Sequence, residues 1–421
     1  MLSQPKTWVL LAALVGLGSP LAWTSEPERT VGDPPGAAED MPKMILDESA
    51  ADWVVDRFAG NSTAGPEFFQ GPTREVGGLG RCGACPMPDG TVYIPFAGGL
   101  AEVDTEGTLR LVIESDQDLI ERTTNQVCAG AALAYNPQDK MLYVVGRNCL
   151  RRLITRPDPQ AGTRQAGTPP ARLELVAGTP GKPGFDDGPA KSASFTRIDS
   201  LVINSRGTIY VLDYNERIRR LENGEVVTLN SSVHSGRHVD GPLAQAAFNM
   251  IGLGGNLCGG EDDDTLYLSD HWNFCVRRID LKTGTVSTVA GMTKPPEWQP
   301  EKQTPQQKRY NANCDGPALT WASFNSGCAY VCWDAVHNAL WCGGPDENRF
   351  RWLRGDWLRT VIGSQPDQYR WPRDALGVPA EKVFLGWNAV VAVDARGRAY
   401  LSCSGDPSGV WRAYNAKEVQ P

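Results

Sequence analysis

The sequence predicts an all-β fold, a six-bladed β-propeller whose blades are four-stranded antiparallel sheets. Three observations predict it. One hairpin pattern recurs six times, most copies are followed by further strand patterns, and the copies lie about 50 residues apart once insertions are removed. A repeat of this length that is built from strands alone is typical of a propeller. A solenoid of the same hairpins is the alternative architecture.

The recurring hairpin is a tight turn followed by an aromatic residue inside an apolar strand. The aromatic residues are Tyr93, Tyr143, Tyr210, Tyr267, Trp341 and Tyr400. Gly, Asp and Asn favour the turn, and aromatic and β-branched residues favour a half-buried strand. The aromatic residues are 50, 67, 57, 74 and 59 residues apart, and Pro-rich insertions at 156–172 and 292–310 account for the two longest intervals.

Two further strand patterns follow the hairpin. A third strand alternates apolar and basic residues at 149–153, 217–221, 275–279, 349–353 and 410–414. This alternation predicts a strand with one buried face and one wet face. A fourth strand ends most repeats, as at 173–178, 286–291 and 358–363. Four strands therefore complete one blade.

The third and fourth repeats carry the fullest set of motifs. The third contains Asp-Gly-Pro-Ala at 187–190, then Phe195, Asp213 and Arg219, and the fourth contains Asp240, Phe248, Asp270 and Arg277 in the same order. On these motifs the chain resembles the NHL-repeat family over roughly residues 50–416, although the first two repeats lack the Asp-Gly-Pro signal. The resemblance implies a six-bladed propeller that acts as a platform for ligands or partners.

The ends of the repeat array predict how the ring closes. The sixth repeat has no fourth strand before Pro421, whereas residues 53–60 resemble an isolated copy of the strand at 286–291. The N-terminal strand is therefore expected to complete the last blade and to cover an otherwise open sheet edge. The propeller is assigned to residues 51–416, after a flexible linker at 25–50 and before a C-terminal tail at 417–421.

Residues 1–24 have the order of a secretory signal peptide. Lys6 supplies a positive charge, an apolar run covers 9–17, and Gly18, Ser19 and Pro20 precede the polar segment. The run is shorter than the roughly 20 residues that span a bilayer. A buried N-terminal helix is the alternative. Eleven cysteines also suit an oxidising compartment, so we expect export to a periplasmic or extracellular location, without a membrane span.

The chain offers a candidate site at the mouth of the central channel. Loops that lead into the inner strand and turns between the second and third strands open on one face, which carries Arg81, Arg147, Asp199, Asp213, Asp270, His271, Asp346 and Asn388. These groups could bind a small polar ligand or a metal. Alternatively, Asp213 and Asp270 bond to the backbone of tight turns.

Metal sites have weaker support. The peptidyl-amidoglycolate lyases are related propellers in which histidines of the channel hold zinc, and zinc needs three protein ligands at one point. Here His271 faces the mouth, while His234 and His238 would have to fold over it. The acidic turn at 261–264 could hold calcium, or it is a solvated hairpin turn. No cofactor is expected, with zinc or calcium as the alternative.

The cysteines predict structure rather than redox chemistry. Cys128 and Cys149 are expected on one face of the second blade and are the best candidates for a disulfide. Cys82 and Cys85 have the spacing of a haem or thioredoxin-like motif. Pro86 stands where haem attachment needs a histidine, and the segment is a strand rather than the helix N-terminus that activates a thiol.

The late part of the chain is rich in tryptophan. Nine of thirteen tryptophans occur from Trp298 onward. They form either a core between blades or an exposed platform for sugars.

A non-catalytic ligand-binding or protein-interaction scaffold is the function that the sequence predicts best. No nucleophile elbow, phosphate loop or dinucleotide motif is present. A net charge of −8 argues against nucleic acid as the partner. The alternative is a metal-dependent lyase or hydrolase with its site at the channel mouth. The partner, a protein or a small molecule, is not identified by the sequence.

Overall fold

The structure is a ring of six antiparallel sheets. This computed structural model describes residues 44–60, 71–72, 83–96, 99–113, 133–154, 171–214, 217–230, 237–250, 255–291, 314–324, 327–344, 349–363, 378–383, 388–403 and 409–418. The blades are numbered in chain order. The innermost strands contact one another from blade one round to blade six and back to blade one, which closes the ring. The predicted six-bladed β-propeller is confirmed.

Each blade runs from an inner strand outward along the chain. Blade one consists of Cys85–Pro86, Val92–Phe96, Gly99–Val103 and Thr108–Ile113, with Gly71–Pro72 at its outer edge. Blade two consists of Leu133–Asn136, Met141–Gly146, Cys149–Ile154 and Arg172–Gly178. Blade three consists of Ile198–Ile203, Ile209–Asp213, Arg217–Glu222 and Glu225–Thr228, with Gly188–Pro189 outermost.

The second half of the ring repeats this order. Blade four consists of Leu257–Gly259, Thr265–Asp270, Cys275–Asp280 and Thr285–Gly291, with Gly241–Pro242 outermost. Blade five consists of Tyr330–Asp334, Ala339–Gly343, Arg349–Arg354 and Trp357–Gly363, with Gly316–Pro317 outermost. Blade six consists of Asn388–Val393, Ala399–Cys403, Gly409–Asn415 and Trp53–Ala59, with Val378–Pro379 outermost. Short 3₁₀ helices occupy Ala50–Asp52, His271–Asn273 and Ala380–Lys382.

The six recurring aromatic residues all lie in the second strand of their blades, as the hairpin pattern predicts. Tyr93 pairs with Cys85 and Trp341 pairs with Cys332 on the inner strand. Where the aromatic residue is tyrosine, its hydroxyl can reach the hairpin turn, as Tyr143 does at 2.7 Å from Asp139 Oδ2. The aromatic ring is thus buried between strands while its polar end is satisfied at the turn.

A fifth, two-residue strand lies at the outer edge of five blades and was not predicted. In blades three to five it is the Gly-Pro of the Asp-Gly-Pro motif. The glycine of this pair has positive φ in all three blades, +123° at Gly188, +117° at Gly241 and +140° at Gly316. Proline suits the outermost position, because it has no N–H to offer a further strand.

The N-terminal strand closes the ring, as predicted. Trp53–Ala59 is antiparallel to Gly409–Asn415, and it pairs on its other side with Val378–Pro379. The Trp53 side chain is fully buried and packs edge-on against Trp341 and Trp352 at centroid distances of 5.4 and 5.3 Å. These tryptophans therefore form core between blades five and six, which is the first of the two interpretations offered by the sequence.

The segment before this strand contacts blade five. Leu46 forms a parallel bridge with Thr360, and the Ile45 backbone N–H donates to Asp315 Oδ2 at 2.9 Å. The linker predicted at 25–50 thus ends in a segment that is bound to a blade. None of the helices in the described part of the chain has the length and apolarity needed to cross a membrane.

Candidate functional site

The mouth face is built by turns between the second and third strands and by loops that lead into the inner strands. Of the predicted mouth residues, Arg147, Asp199, Asp213, Asp270 and His271 are described, and they belong to blades two, three and four. Asn388 begins the inner strand of blade six. Arg81 and Asp346 lie outside the described residues. Five of the eight predicted mouth residues therefore lie on blades two to four.

Asp213 is buried inside blade three rather than exposed at the mouth. Its carboxylate accepts hydrogen bonds from the backbone N–H groups of Thr196 and Arg197 at 3.0 and 2.8 Å. Its other oxygen lies 3.1 Å from Arg219 Nη1, and neither side chain is exposed. Burial raises the pKa of Asp213 to about 6, although the Arg197 backbone N–H and the Arg219 guanidinium act in the opposite direction.

Asp270 repeats this arrangement in blade four. Its carboxylate accepts from the Asn249 backbone N–H at 2.7 Å and from the Asn273 side-chain amide at 2.9 Å. Arg277 Nη1 lies 2.8 Å away, and both side chains are fully buried. Burial raises the pKa of Asp270, against the opposing effect of the Arg277 charge. Both carboxylates thus hold the loop that leads into the inner strand.

Each buried arginine also binds the aspartate of the Asp-Gly-Pro motif. Arg219 Nη2 lies 2.8 Å from Asp187 Oδ1, and its guanidinium stacks on the Phe195 ring at 4.8 Å. Blade four repeats this with Arg277, Asp240 at 2.6 Å and Phe248 at 5.2 Å. In blade five, Arg351 has Asp315 at 3.6 Å and Phe324 at 4.4 Å. In each of these three blades, the aspartate of the Asp-Gly-Pro motif, the third-strand arginine and the phenylalanine therefore form one contact cluster inside the blade.

The expectation that the basic residues of the third strand face water is wrong for the arginines of this contact cluster. Arg219, Arg277 and Arg351 are fully buried, because carboxylates and loop carbonyls accept hydrogen bonds or ion pairs from their terminal nitrogens. In blades three and four the next residue is again basic and is partly exposed, with side-chain exposures of 41% for Arg220 and 30% for Arg278. A basic residue is thus buried here where the repeat supplies a partner.

Trp272 is an exposed aromatic residue of blade four at the mouth. It lies in the 3₁₀ turn His271–Asn273 and is 42% exposed. Its backbone N–H donates to the Asn249 carbonyl at 2.9 Å, and its ring meets the His271 ring edge-on at 4.9 Å. His271 is buried against Gly327, where an added Cβ would lie 2.5 Å from the imidazole. The turn beneath Trp272 is therefore held firmly.

A polar group lies at the mouth of blade three. Arg197 binds Asp199 with two hydrogen bonds, Nε to Oδ1 at 2.5 Å and Nη2 to Oδ2 at 3.2 Å. The guanidinium stacks over the Tyr214 ring at 4.2 Å, and the Tyr214 backbone N–H donates to the Arg197 carbonyl. The Arg197 side chain is 28% exposed, whereas Asp199 is 7% exposed. In blade two, Arg147 is exposed in the turn between the second and third strands.

The sequence did not single out Trp272, Arg197 or Tyr214. One signal in the sequence could have identified the two aromatic residues. An aromatic residue lies just after the aspartate that ends the second strand, in a turn where burial within a strand cannot explain its presence. Tyr214 and Trp272 both have this position.

The residues considered for metal binding are dispersed. His238 Nε2 lies 2.8 Å from Thr288 Oγ1, and burial lowers its pKa. His234 lies outside the described residues. In the acidic turn, Glu261 accepts from the Tyr267 hydroxyl and from Arg278, at 3.0 and 2.9 Å. Within the described ranges, no three histidine, cysteine or acidic side chains are grouped so that they could hold a metal ion.

A cleft of about 460 Å³ lies beside this acidic turn, between blades three and four. Its wall includes Asp263, which accepts from the Ser205 hydroxyl at 2.6 Å, while Arg206 pairs with Asp264. The wall of the cleft is formed by the hairpin turns between the first and second strands of blades three and four. These turns lie on the face opposite the mouth, so the cleft is separate from the mouth.

The described cysteine side chains are mostly buried. The backbone of Tyr135, in the next blade, hydrogen-bonds to Cys85, and burial raises the Cys85 pKa to about 12. A thiol with so high a pKa is a poor nucleophile at neutral pH. Cys149 is buried at the start of its strand, whereas Cys128 and Cys82 lie outside the described residues. No disulfide joins two of the cysteines whose side chains are described.

Comparison with known proteins identifies the fold. No family model and no curated protein matches the sequence. A protein of unknown function from Bacteroides thetaiotaomicron superposes with a TM-score of 0.57 at 13% identity, over 86% of this chain and 75% of that chain. Two proteins named auxiliary nutrient binding proteins are also similar, each over 86% of this chain and 76% of theirs.

The one from Bacteroides thetaiotaomicron has a TM-score of 0.55 at 11% identity. The one from Bacteroides ovatus has a TM-score of 0.54 at 13% identity. At these identities the likeness establishes the fold alone.

Proposed function

We propose that this protein is an NHL-type propeller that binds a ligand or partner at its channel mouth without transforming it. The observation that carries the proposal is Trp272, a tryptophan that is 42% exposed on a turn whose backbone and neighbours are fixed. A large exposed ring on a rigid support contributes contact area and loses little conformational entropy on binding. Tryptophan is also a frequent centre of binding energy at interfaces.

The neighbouring blades add polar recognition groups. Arg197 stays partly exposed although it is oriented by Asp199 and Tyr214, and Arg147 is exposed on blade two. Asp213 and Asp270 are bound to buried arginines and support the loops from beneath. The mouth therefore offers an aromatic surface with oriented guanidinium groups to a ligand that combines an apolar face with polar or anionic groups.

Two of the similar Bacteroides propellers are named as nutrient-binding proteins, which agrees with a binding role. We also propose that the protein is exported after removal of the signal at residues 1–24. Mass spectrometry of protein purified from its native source should find an N-terminus between Trp23 and Glu26. A native pool that keeps Met1 would contradict export.

Saturation-transfer NMR tests the binding role. The mature protein is screened against sugars, amino acids, dicarboxylic acids and nucleosides. A true ligand should bind saturably and return chemically unchanged. Trp272→Ala should weaken it at least about 30-fold, as expected for a central binding residue. Val227→Ala is the matched control, because Val227 is also 42% exposed but lies on the outer strand of blade three.

Two results would contradict the proposal. Equal affinity of the Trp272→Ala and Val227→Ala variants would place the binding site elsewhere. Conversion of a bound compound into product would support the alternative function, a lyase or hydrolase.

A further inference from the structure

His337 lies between two carboxylates on the face opposite the mouth. Its Nδ1 atom is 2.8 Å from Asp334 Oδ2, and its Nε2 atom is 2.9 Å from Glu418 Oε2. The imidazole is 8% exposed. Both ring nitrogens can donate hydrogen bonds only when the imidazole is protonated, so this geometry fits the imidazolium form.

The three residues join parts of the chain that meet where the ring closes. Asp334 ends the inner strand of blade five, and His337 lies in the hairpin turn that follows. Glu418 comes three residues after the third strand of blade six, which ends at Asn415. The His337 ring also packs against Trp53 of the N-terminal strand, with centroids 5.3 Å apart. One imidazole therefore contacts blade five, the N-terminal strand and the C-terminal segment.

The two carboxylates that contact His337 differ in burial and in how many other hydrogen bonds hold them. Asp334 is fully buried, and it also accepts from Trp341 Nε1 at 3.1 Å and from two backbone N–H groups of its own turn. The Glu418 side chain is 51% exposed. Asp334 therefore keeps its position whatever the charge of His337. The other oxygen of Glu418 accepts from Asn415 Nδ2 of blade six at 3.2 Å, so among the described contacts the imidazole is what joins this carboxylate to blade five.

The remaining charged groups nearby have partners of their own. Arg354 donates to the His337 carbonyl, Lys417 pairs with Asp52 at 2.8 Å, and Arg398 pairs with Asp394 at 2.6 Å beside Gly397, which packs against the imidazole. None of these pairs replaces Asp334 or Glu418 at the ring nitrogens.

We propose that His337 is a proton-dependent clamp that fastens the C-terminal segment across the closed ring. When His337 is protonated, it donates to Asp334 and Glu418 at once. When it is neutral, one nitrogen has no proton to donate, and the lone pair there faces a carboxylate oxygen. Because Asp334 is fixed, the contact with Glu418 is lost and the C-terminal segment is released from blade five.

The direction of the pH effect follows from the environment of His337. Burial lowers its pKa, but the hydrogen bonds and charges of Asp334 and Glu418 outweigh burial and raise the pKa above the ordinary value. A raised pKa in the folded state means that the clamp contributes its full stability below about pH 6.5, the value in the unfolded chain. That stability is lost as the pH rises through the folded pKa.

Hydrogen exchange of the intact mature protein tests the clamp at pH 6 and pH 8.5, with rates corrected for intrinsic exchange. Protection of the amides of residues 416–418, which follow the paired strand Gly409–Asn415, should fall about fivefold at the higher pH, the effect of one lost hydrogen bond. Peptides of blade three should be unchanged. Glu418→Gln should show the lower protection at both pH values, and as an exposed position it should leave the fold intact.

His238→Gln is the control, because His238 is partly buried but bonds to Thr288 far from the ring closure. It should keep the pH response of the wild type. The clamp is refuted if protection of residues 416–418 is the same at both pH values in the wild type, or if Glu418→Gln retains the wild-type response. An NMR titration that places the His337 midpoint below 6.5 would refute it independently.

Discussion

Asp213 and Arg219 meet at 3.1 Å inside blade three, and neither side chain is exposed to solvent. The same carboxylate accepts the backbone N–H of Arg197, the residue whose guanidinium reaches the mouth. The buried pair therefore fixes the residue that is available for recognition. Blade four has the same relationship, because Asp270 holds Asn249, whose carbonyl in turn binds the Trp272 backbone. The repeat motif thus supports the mouth from within the blades.

Arg219→Ala should destabilise the protein by about 3–5 kcal/mol, because it leaves a buried carboxylate without its partner. Arg220→Ala is the neighbouring control, with 41% side-chain exposure. It should change stability by less than about 0.5 kcal/mol. Urea unfolding at pH 7 measures both. A small loss for Arg219→Ala, equal to that of the control, would show that the buried pair is not needed for the blade.

The two carboxylates on Arg219 should titrate in opposite directions from their ordinary value of 3.8. Burial raises the Asp213 pKa to about 6. Burial also raises the pKa of Asp187, but the hydrogen bonds from the Thr228 backbone and from Arg219 outweigh burial and lower this pKa overall. Between about pH 4 and pH 6 the native state therefore holds more protons at Asp213 than the unfolded chain does, so this site contributes less stability as the pH rises.

Carbon-detected NMR of the carboxyl groups measures both midpoints, with Asp213→Asn and Asp187→Asn for assignment. A midpoint for Asp213 below that of Asp187 would contradict the expected order.

Deletion of residues 1–60 should cause aggregation, because it removes Trp53–Ala59 and exposes the edge of Gly409–Asn415. Deletion of residues 1–43 is the control and leaves every described contact of the strand in place. Size-exclusion chromatography and thermal unfolding of the two truncations provide the comparison. Equal stability of both would mean that the N-terminal strand is dispensable for the ring.

Cys128 and Cys149 remain the predicted disulfide. Their bridge would close a loop of roughly 20 residues and should contribute about 3 kcal/mol. Peptide mapping without reduction should recover both cysteines in one linked peptide. Recovery of Cys128 as an alkylated thiol, or linked to Cys82 or Cys85, would contradict this pairing.

The six-bladed architecture could be predicted from the sequence because the patterns that specify it are local in the chain. A turn followed by an aromatic residue recurs in every blade, and the missing last strand at one end matches the isolated strand at the other. The role of Asp187 was not predictable in this way. Its partner, Arg219, is 32 residues away and on a strand whose alternation resembles that of an exposed edge. Burial of a charge depends on partners that only the folded blade brings together.

The candidate site shows the same division. The sequence predicts Asp213 and Asp270 as mouth residues, yet their side chains are buried, while Trp272, two residues after Asp270, is exposed. The direction in which a side chain points from a turn depends on contacts with other segments, such as the packing of His271 on Gly327. These contacts leave no periodic signal in the sequence.

The closing strand also determines the order in which the molecule can form. Asp56 and Tyr414 hydrogen-bond across the last blade although they are 358 residues apart in the chain. The strand Trp53–Ala59 is synthesised before the strands of blades one to five, and its partner Gly409–Asn415 is synthesised after them. Blades one to five can fold progressively in the meantime, whereas blade six must wait until both of these strands are present. Pairing over so long a separation is intrinsically slow, so we expect the pairing of Trp53–Ala59 with Gly409–Asn415 to be a late step in folding.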